Sequence, residues 1–495
     1  MRKYFGFAVF LMALLPAVVT ASVLPAQVQN ALNAVRIPLN DVSVVVQPLA
    51  GGAPLIALNG DTARNPASVI KLVTTLAALD TLGPAYQWRT ELLSEAVPRD
   101  GVLAGDLVLR GNGDPKFTYE RLWLLLRQLR DRGVREIRGD LLLDRSAFAP
   151  APASPAEFDN RPLRPYNALP DALLVNFNAL TLRLRPEEGG DGINVTVQPA
   201  PDNLVIENRL RKTANVACGE WREQLRAQPL AAAQRTRLVL TGNYPESCGE
   251  KDWHVQAMAP NELIGGVFRA LWRELGGSFS GLVREATTPL SAQPLAVLSA
   301  PTLYEAVRDI NKYSNNVMAR QLYLTLGREV QLRKNQAMVT ATSDADADSA
   351  VRQWLADKSL SLPQLVMGNG AGLARETRIS ANELAKLLRY AWQSPVMPEF
   401  IASLPVVASD GTMRKRLGDT PAAGRAHIKT GSLEGVKALA GYVLDVRGQR
   451  WLVVFMVNHA QANAAQPAMD ALLLWLAQGT MQAAAPTRSR VALDQ

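Results

Sequence analysis

The sequence predicts an α+β fold, and three observations predict it. Apolar strand pairs lie near both ends of the chain, over residues 41–58 and 439–457. Helical periodicity follows the first pair over residues 66–77 and recurs over 302–326. Between these blocks, from about residue 88 to about 291, short strand-like stretches dominate. The 495-residue length is natural for two or three domains.

In chain order, Arg2 and Lys3 precede an apolar stretch over residues 4–19, and Thr20-Ala21-Ser22 follow. That is the layout of a secretory signal peptide cleaved after Ala21. The alternative is a retained anchor, for which the stretch is near the lower limit of length. No Cys lies near the cleavage site to carry a lipid, and no later stretch is long and apolar enough to span a membrane. Residues 41–47 are Val-rich and alternate, Pro48 ends them, Gly51-Gly52 turn the chain, and residues 55–58 return. This hairpin leads into Asn65-Pro66-Ala67-Ser68-Val69-Ile70-Lys71. Pro66 suits the start of a helix, Val69, Ile70, Val73, Leu76 and Ala77 give it an apolar face, and Gly83-Pro84 end it.

Ser68 and Lys71 share one face of that helix. A serine hydroxyl becomes a nucleophile when a base takes its proton. An amine can be that base if burial or a second cation lowers its pKa. Backbone N–H groups at the helix start suit an oxyanion. A Ser-x-x-Lys match arises by chance about once in a chain of this size, so alone it reads as an incidental Ser and a solvated Lys.

Strands are expected near residues 90–93, 105–110, 139–143, 179–185, 193–197, 204–208 and 237–241. Helices are expected over 122–129 and 261–275, a Pro-rich loop over 150–170, and loop or tail at the Ala-rich patches near Ala231 and Ala483. Tyr313-Ser314-Asn315-Asn316 interrupts the 302–326 helical pattern, either as plain capping residues or as a loop that presents Ser314 and Asn316 together. Arg425 to Ser432 reads as a strand; Gly431 would let an extended backbone approach, and the bland alternative is a turn with a solvated Lys429. A closing helix spans 469–477 and a loose tail follows.

Composition excludes several classes. The 53 basic and 45 acidic residues leave a net +8, interspersed without a basic block, which is no nucleic-acid footprint. The three His residues are scattered, no His/Cys cluster has zinc-ligand spacing, and no metal or cofactor is expected. No G-x-S-x-G elbow is present. Cys218 and Cys248 form one disulfide in an exported chain, or else are two separate buried thiols.

Ser68-x-x-Lys71, Ser314-x-Asn316 and Lys429-Thr430-Gly431 occur in that order, on a helix, a loop and a strand. Penicillin-binding proteins and serine β-lactamases carry such a set. Gly111-Asn112-Gly113-Asp114-Pro115, Asn369-Gly370-Ala371-Gly372-Leu373, residues 410–416 and Lys429 to Leu433 narrow the match. The chain resembles the class C low-molecular-mass penicillin-binding proteins, the D-alanyl-D-alanine carboxypeptidase/endopeptidase (S13 peptidase) family. Asn369 and Ala371 depart from the family's usual Asp and Ser, and Arg320 from a common Glu.

The resemblance implies a β-lactamase/DD-peptidase-like domain, an antiparallel sheet flanked by helices. Residues 22–87 and 291–480 would form it, a β-rich insertion of one or two subdomains (88–290) would split it, and 481–495 would be the tail. It implies a periplasmic serine peptidase that cleaves D-Ala-D-Ala ends and D-Ala-diamino acid cross-links of peptidoglycan stem peptides, inhibited by β-lactams. Ser68 would be the nucleophile, Lys71 its base and Ser314 the proton relay to the leaving amine. Asn316 would hold the acyl-side amide, and Thr430 with Ser432 the terminal carboxylate. Backbone N–H groups of Ser68 and Ser432 would form the oxyanion hole. A β-lactamase shares the three motifs but lacks the long insertion, and a silent peptidoglycan-binding protein would not keep all three.

Overall fold

The Val-rich stretch near the N-terminus becomes a strand, Val42–Pro48, and its position organises the molecule. It pairs antiparallel with Arg450–Asn458, from near the other end of the chain, in a register that sets Val42 opposite Val457. The computed structural model describes residues 24–151, 153–232, 235–334 and 341–479. The expected signal peptide, the expected tail and Ala483 lie outside the described residues.

The sheet built on this pair has five strands, all antiparallel. Its order is Ala426–Leu433, Val436–Leu444, Arg450–Asn458, Val42–Pro48, Ile56–Leu58. Both faces are covered. Val42, Val44 and Val46 pack with the helices Ala26–Ala34 and Gln466–Ala477 in one core. Val45 points the other way, into a core shared with Lys71–Leu82, Leu303–Tyr313, Asn316–Lys334 and Ala381–Gln393. The period of two is therefore real but separates two apolar faces, not core from solvent.

The β-rich stretch forms its own sheets and its own core. Arg89–Ser94, Leu107–Arg110, Leu141–Asp144, Val283–Glu285 and Gln293–Ser299 make one five-stranded sheet. Smaller three-stranded sheets carry the rest, and the helices Tyr119–Asp131 and Pro260–Glu274 cover them with Leu122, Leu126, Phe268 and Trp272. The fold class is the expected one, α+β with a β-rich region between the halves of the main sheet. Two details differ from expectation. The Ala-rich patch at Ala231 is not a loop but the end of a strand, Leu225–Ala232, because its backbone pairs with Arg235–Pro245 whatever its side chains. Gln293–Ser299 extends the inserted sheet beyond residue 291 by pairing with Arg89–Ser94.

Cys218 and Cys248 are disulfide-bonded with Cα atoms 4.7 Å apart, and the bridge closes a separation of 30 residues. For a loop of that length, replacing both by Ser is expected to cost about 3–4 kcal/mol by chain entropy. The expected outcome is a lower midpoint in the insertion's unfolding, read by Trp221 and Trp253 fluorescence, with penicillin labelling of the folded protein unchanged.

Candidate active site

Ser68 does not sit in the α-helix proper. Ala67–Ile70 form a 3₁₀ turn, and the α-helix begins at Lys71. The tightening follows from Ala67, a non-glycine residue held at φ 47°. Such a backbone needs its surroundings to hold it, and they do. The Asn65 backbone and the Asn458 side chain exchange two hydrogen bonds, at 2.8 and 2.9 Å, and Asn65 Oδ1 accepts from the Ala67 N–H at 2.8 Å. Two glycines let other backbones close in. A Cβ on Gly372 would lie 2.3 Å from the Ala67 carbonyl oxygen, and one on Gly431 would lie 2.6 Å from that of Pro66 and 3.0 Å from the Ser68 nitrogen. Gly431 thus brings the strand against the turn of Ser68, as its lack of a side chain foretells.

Lys71 is fully buried. Its Nζ contacts Ser68 Oγ at 2.8 Å, Asn316 Oδ1 at 2.6 Å and the Ala371 carbonyl at 2.5 Å. Burial first, and the nearby Lys429 second, hold its pKa well below the ordinary lysine value. A neutral amine has two N–H donors and one lone pair. Asn316 Oδ1 and the Ala371 carbonyl only accept, so they take both donors. The third contact of the amine, to Ser68 Oγ, is the one along which a proton can pass between hydroxyl and amine.

Lys429 is also fully buried, and burial lowers its pKa to about 7. It donates to Ser314 Oγ at 2.9 Å and to the Thr430 carbonyl at 2.7 Å. The solvated alternative is wrong for both lysines. Ser314 ends the helix Leu303–Tyr313 in a left-handed conformation, φ 57°. Asn315 caps the next helix, accepting from the Met318 N–H at 3.0 Å. Both readings of this loop therefore hold, on different residues: Asn315 caps, while Ser314 and Asn316 face the two lysines. The hydroxyls of Thr430 and Ser432 lie elsewhere on the strand, against Thr412 at 2.8 Å and Asn463 at 2.9 Å.

Sequence reasoning missed the residues that aim the others. The Ala371 carbonyl orients Lys71; its loop is braced by Asn369, which donates to the Leu373 carbonyl, and by Thr74, which donates to the Gly370 carbonyl. The Asn369-Gly370-Ala371-Gly372-Leu373 motif marked the loop, but not the role of the Ala371 carbonyl. Asn65 and Asn458 left no signal beyond being polar at a strand end. Arg320 is buried and lacks a partner on Nε, and burial lowers its pKa. Among the described residues, no group of His, Cys, Asp or Glu is placed to hold a metal ion.

The sequence model of the D-Ala-D-Ala carboxypeptidase 3 (S13) family matches residues 24–479. The chain belongs to that family. It is a serine peptidase of the D-Ala-D-Ala carboxypeptidase group, in agreement with the resemblance read from the motifs. A D-alanyl-D-alanine carboxypeptidase of Actinomadura sp. (strain R39) is 28% identical over 450 residues, covering 88% of this chain and 81% of the relative. D-alanyl-D-alanine carboxypeptidase DacB of Haemophilus influenzae is 24% identical, with 81% of each chain covered. The crystal structure of penicillin binding protein 4 (dacB) from Haemophilus influenzae superposes with a TM-score of 0.75 at 23% identity. That superposition covers 91% of this chain and 99% of the other.

Two predictions follow from the packing and from the buried amines. Gly372→Ala puts a side chain into a φ of +81° and against the Ala67 carbonyl. At about 1–3 kcal/mol of strain, it should slow acylation by benzylpenicillin on the order of 100-fold, because the relaxing segment carries the nucleophile. Gly83→Ala is the control: it has φ +83° but open space around it, and it should lower the melting temperature slightly and leave acylation unchanged. For Lys429, the folded pKa of about 7 lies below the unfolded value, so the unfolded chain binds more protons between roughly pH 7 and 10.4. Stability from this group rises with pH across that window. Lys429→Met should therefore raise the melting temperature most at pH 6 and least at pH 10, while abolishing rapid acylation; thermal scans across that range check the sign.

Proposed function

We propose that this chain is a periplasmic DD-peptidase that works through an acyl-enzyme on Ser68. It cleaves D-Ala-D-Ala ends of peptidoglycan stem peptides as a carboxypeptidase and D-Ala-diamino acid cross-links as an endopeptidase, and β-lactams inhibit it. The single observation that carries the reading is the Lys71 amine, fully buried, with its Nζ held by Asn316 Oδ1 and the Ala371 carbonyl and in contact with Ser68 Oγ.

Ser68 Oγ attacks the D-Ala carbonyl and Lys71 takes its proton. Backbone N–H groups of Ser68 and Ser432 stabilise the oxyanion. Ser314, held by Lys429, passes a proton to the leaving amine. Asn316 holds the acyl-side amide, and Thr430 with Ser432 receives the terminal carboxylate. Water then releases the acyl group. Residues 22–87 and 291–480 act as the peptidase unit, and 88–290 as its insertion. The N-terminal segment is a cleaved signal peptide; among the described residues no helix is long and apolar enough to cross a membrane.

No carboxylate hydrogen-bonds Ser68, Lys71, Ser314 or Asn316 among the described residues. A β-lactamase needs a base for rapid deacylation. A single addition of benzylpenicillin should therefore give an adduct at Ser68 that persists on the order of minutes or longer, while acyl-D-Ala-D-Ala peptides turn over. Intact-mass measurement against time reads this. Hydrolysis of penicillin many times per second without an adduct would replace the peptidase reading by a β-lactamase. Ser68→Ala should lose both labelling and peptide cleavage while keeping its melting temperature.

A further inference from the structure

The strand Ala426–Leu433 turns Lys429 and Gly431 to one face and Thr430 and Ser432 to the other. The second face carries a row of neutral donors: Thr412 against Thr430, and Ser432 against Asn463. Thr412, Ser432 and Asn463 are exposed. Their positions are set from below. Asp410 accepts from Lys312 at 2.6 Å and from the Val406 N–H at 2.8 Å, and a Cβ on Gly411 would lie 2.4 Å from the Lys312 carbonyl oxygen. Hydroxyls alone bind a carboxylate weakly; a cation at the same place strengthens the bond.

One cation is there. Lys437 lies directly opposite Ser432 on the neighbouring strand, and its Nζ is 3.5 Å from Ser432 Oγ. That distance is long for a hydrogen bond and leaves room for a stronger acceptor. The nearby acid, Asp470, is held by both Nε and Nη2 of Arg416, at 2.9 and 2.5 Å. Lys437 makes no ion pair with a carboxylate among the described residues. Its half-buried stem keeps the ammonium beside the row of hydroxyls.

We propose that Lys437 is the specificity-determining cation for the free carboxylate of the departing residue. It binds next to the carboxylate that Thr430 and Ser432 receive, and so selects a C-terminal acid over its neutral amide. The inference rests on the acyl-transfer reading above.

The test compares wild type, Lys437→Met and Lys437→Arg on an acyl-D-Ala-D-Ala peptide and on its C-terminal amide. It also measures acylation of Ser68 by benzylpenicillin and by its neutral methyl ester. The expected result is a 10- to 100-fold loss in kcat/KM for the acid with Lys437→Met, mostly in KM. The amide and the methyl ester should react at wild-type rates, and Lys437→Arg should recover most of the loss. An acid-to-amide preference that survives Lys437→Met, or an equal loss on charged and neutral substrates, overturns the proposal while the Ser68 chemistry stands. A wild type that neither cleaves either peptide nor acquires a label at Ser68 overturns both readings.

Discussion

Two lysine amines without exposed surface are the constraint from which most of this site follows. Moving Lys429 from the ordinary value to about 7 costs on the order of 5 kcal/mol at neutral pH, comparable to a domain's whole net stability. Lys71 lies in the same enclosure and bears a further cost from Lys429 itself. The molecule meets this with acceptors from three segments: the 314–316 loop, the loop at Ala371 and the strand of Lys429 itself. Asn316 and Ala371 hold Lys71, while Ser314 and the Thr430 carbonyl hold Lys429. Those segments are far apart in sequence, so the helices and the five-stranded sheet must all be docked before either amine is satisfied. Activity and folding therefore share one set of contacts.

The nucleophile's turn is a second expense of the same kind. Ala67 sits at a positive φ that an alanine rarely adopts, and Ser314 does the same across the site. Strained backbone at a chemical centre persists only where neighbours over-determine it. Here the neighbours are backbone atoms admitted by Gly372 and Gly431 and the paired amides of Asn65 and Asn458. The strand that carries Gly431 fixes both the turn and Lys429, so one element positions Ser68 and the amine that, after burial, lowers the pKa of Lys71.

Much of this was legible in the residues. Ser68, Lys71, Ser314, Asn316 and Lys429 converge because their spacing and local structure could be read together. Helix periodicity marked the buried helices, and the Val-rich run marked the strand Val42–Pro48. What stayed hidden depends on the backbone. The Ala371 carbonyl has no side-chain signature, and an Ala gives no sign that its oxygen will orient a lysine amine. Ala231 looked like loop because propensity speaks weakly against a register fixed by a neighbouring strand. The 3₁₀ turn at Ser68 was read as α-helix because periodicity cannot distinguish a tightened first turn.

The place of the strand Ala426–Leu433 ties these points to substrate. It lies at one end of the sheet order, paired along its length with Val436–Leu444 on one side and, on the other, bridged over its first residues by residues 405–407, with Val406 opposite His427. An edge strand exposes unpaired backbone groups, which is a hazard for aggregation and equally a template for an extended peptide. Here the edge is short and interrupted. Lys429 bends its amine back onto the Thr430 carbonyl, and the turn at Thr412 covers the Thr430 hydroxyl. A long guest strand finds little to pair with. The same features that protect the edge leave its open stretch short and beside Ser68.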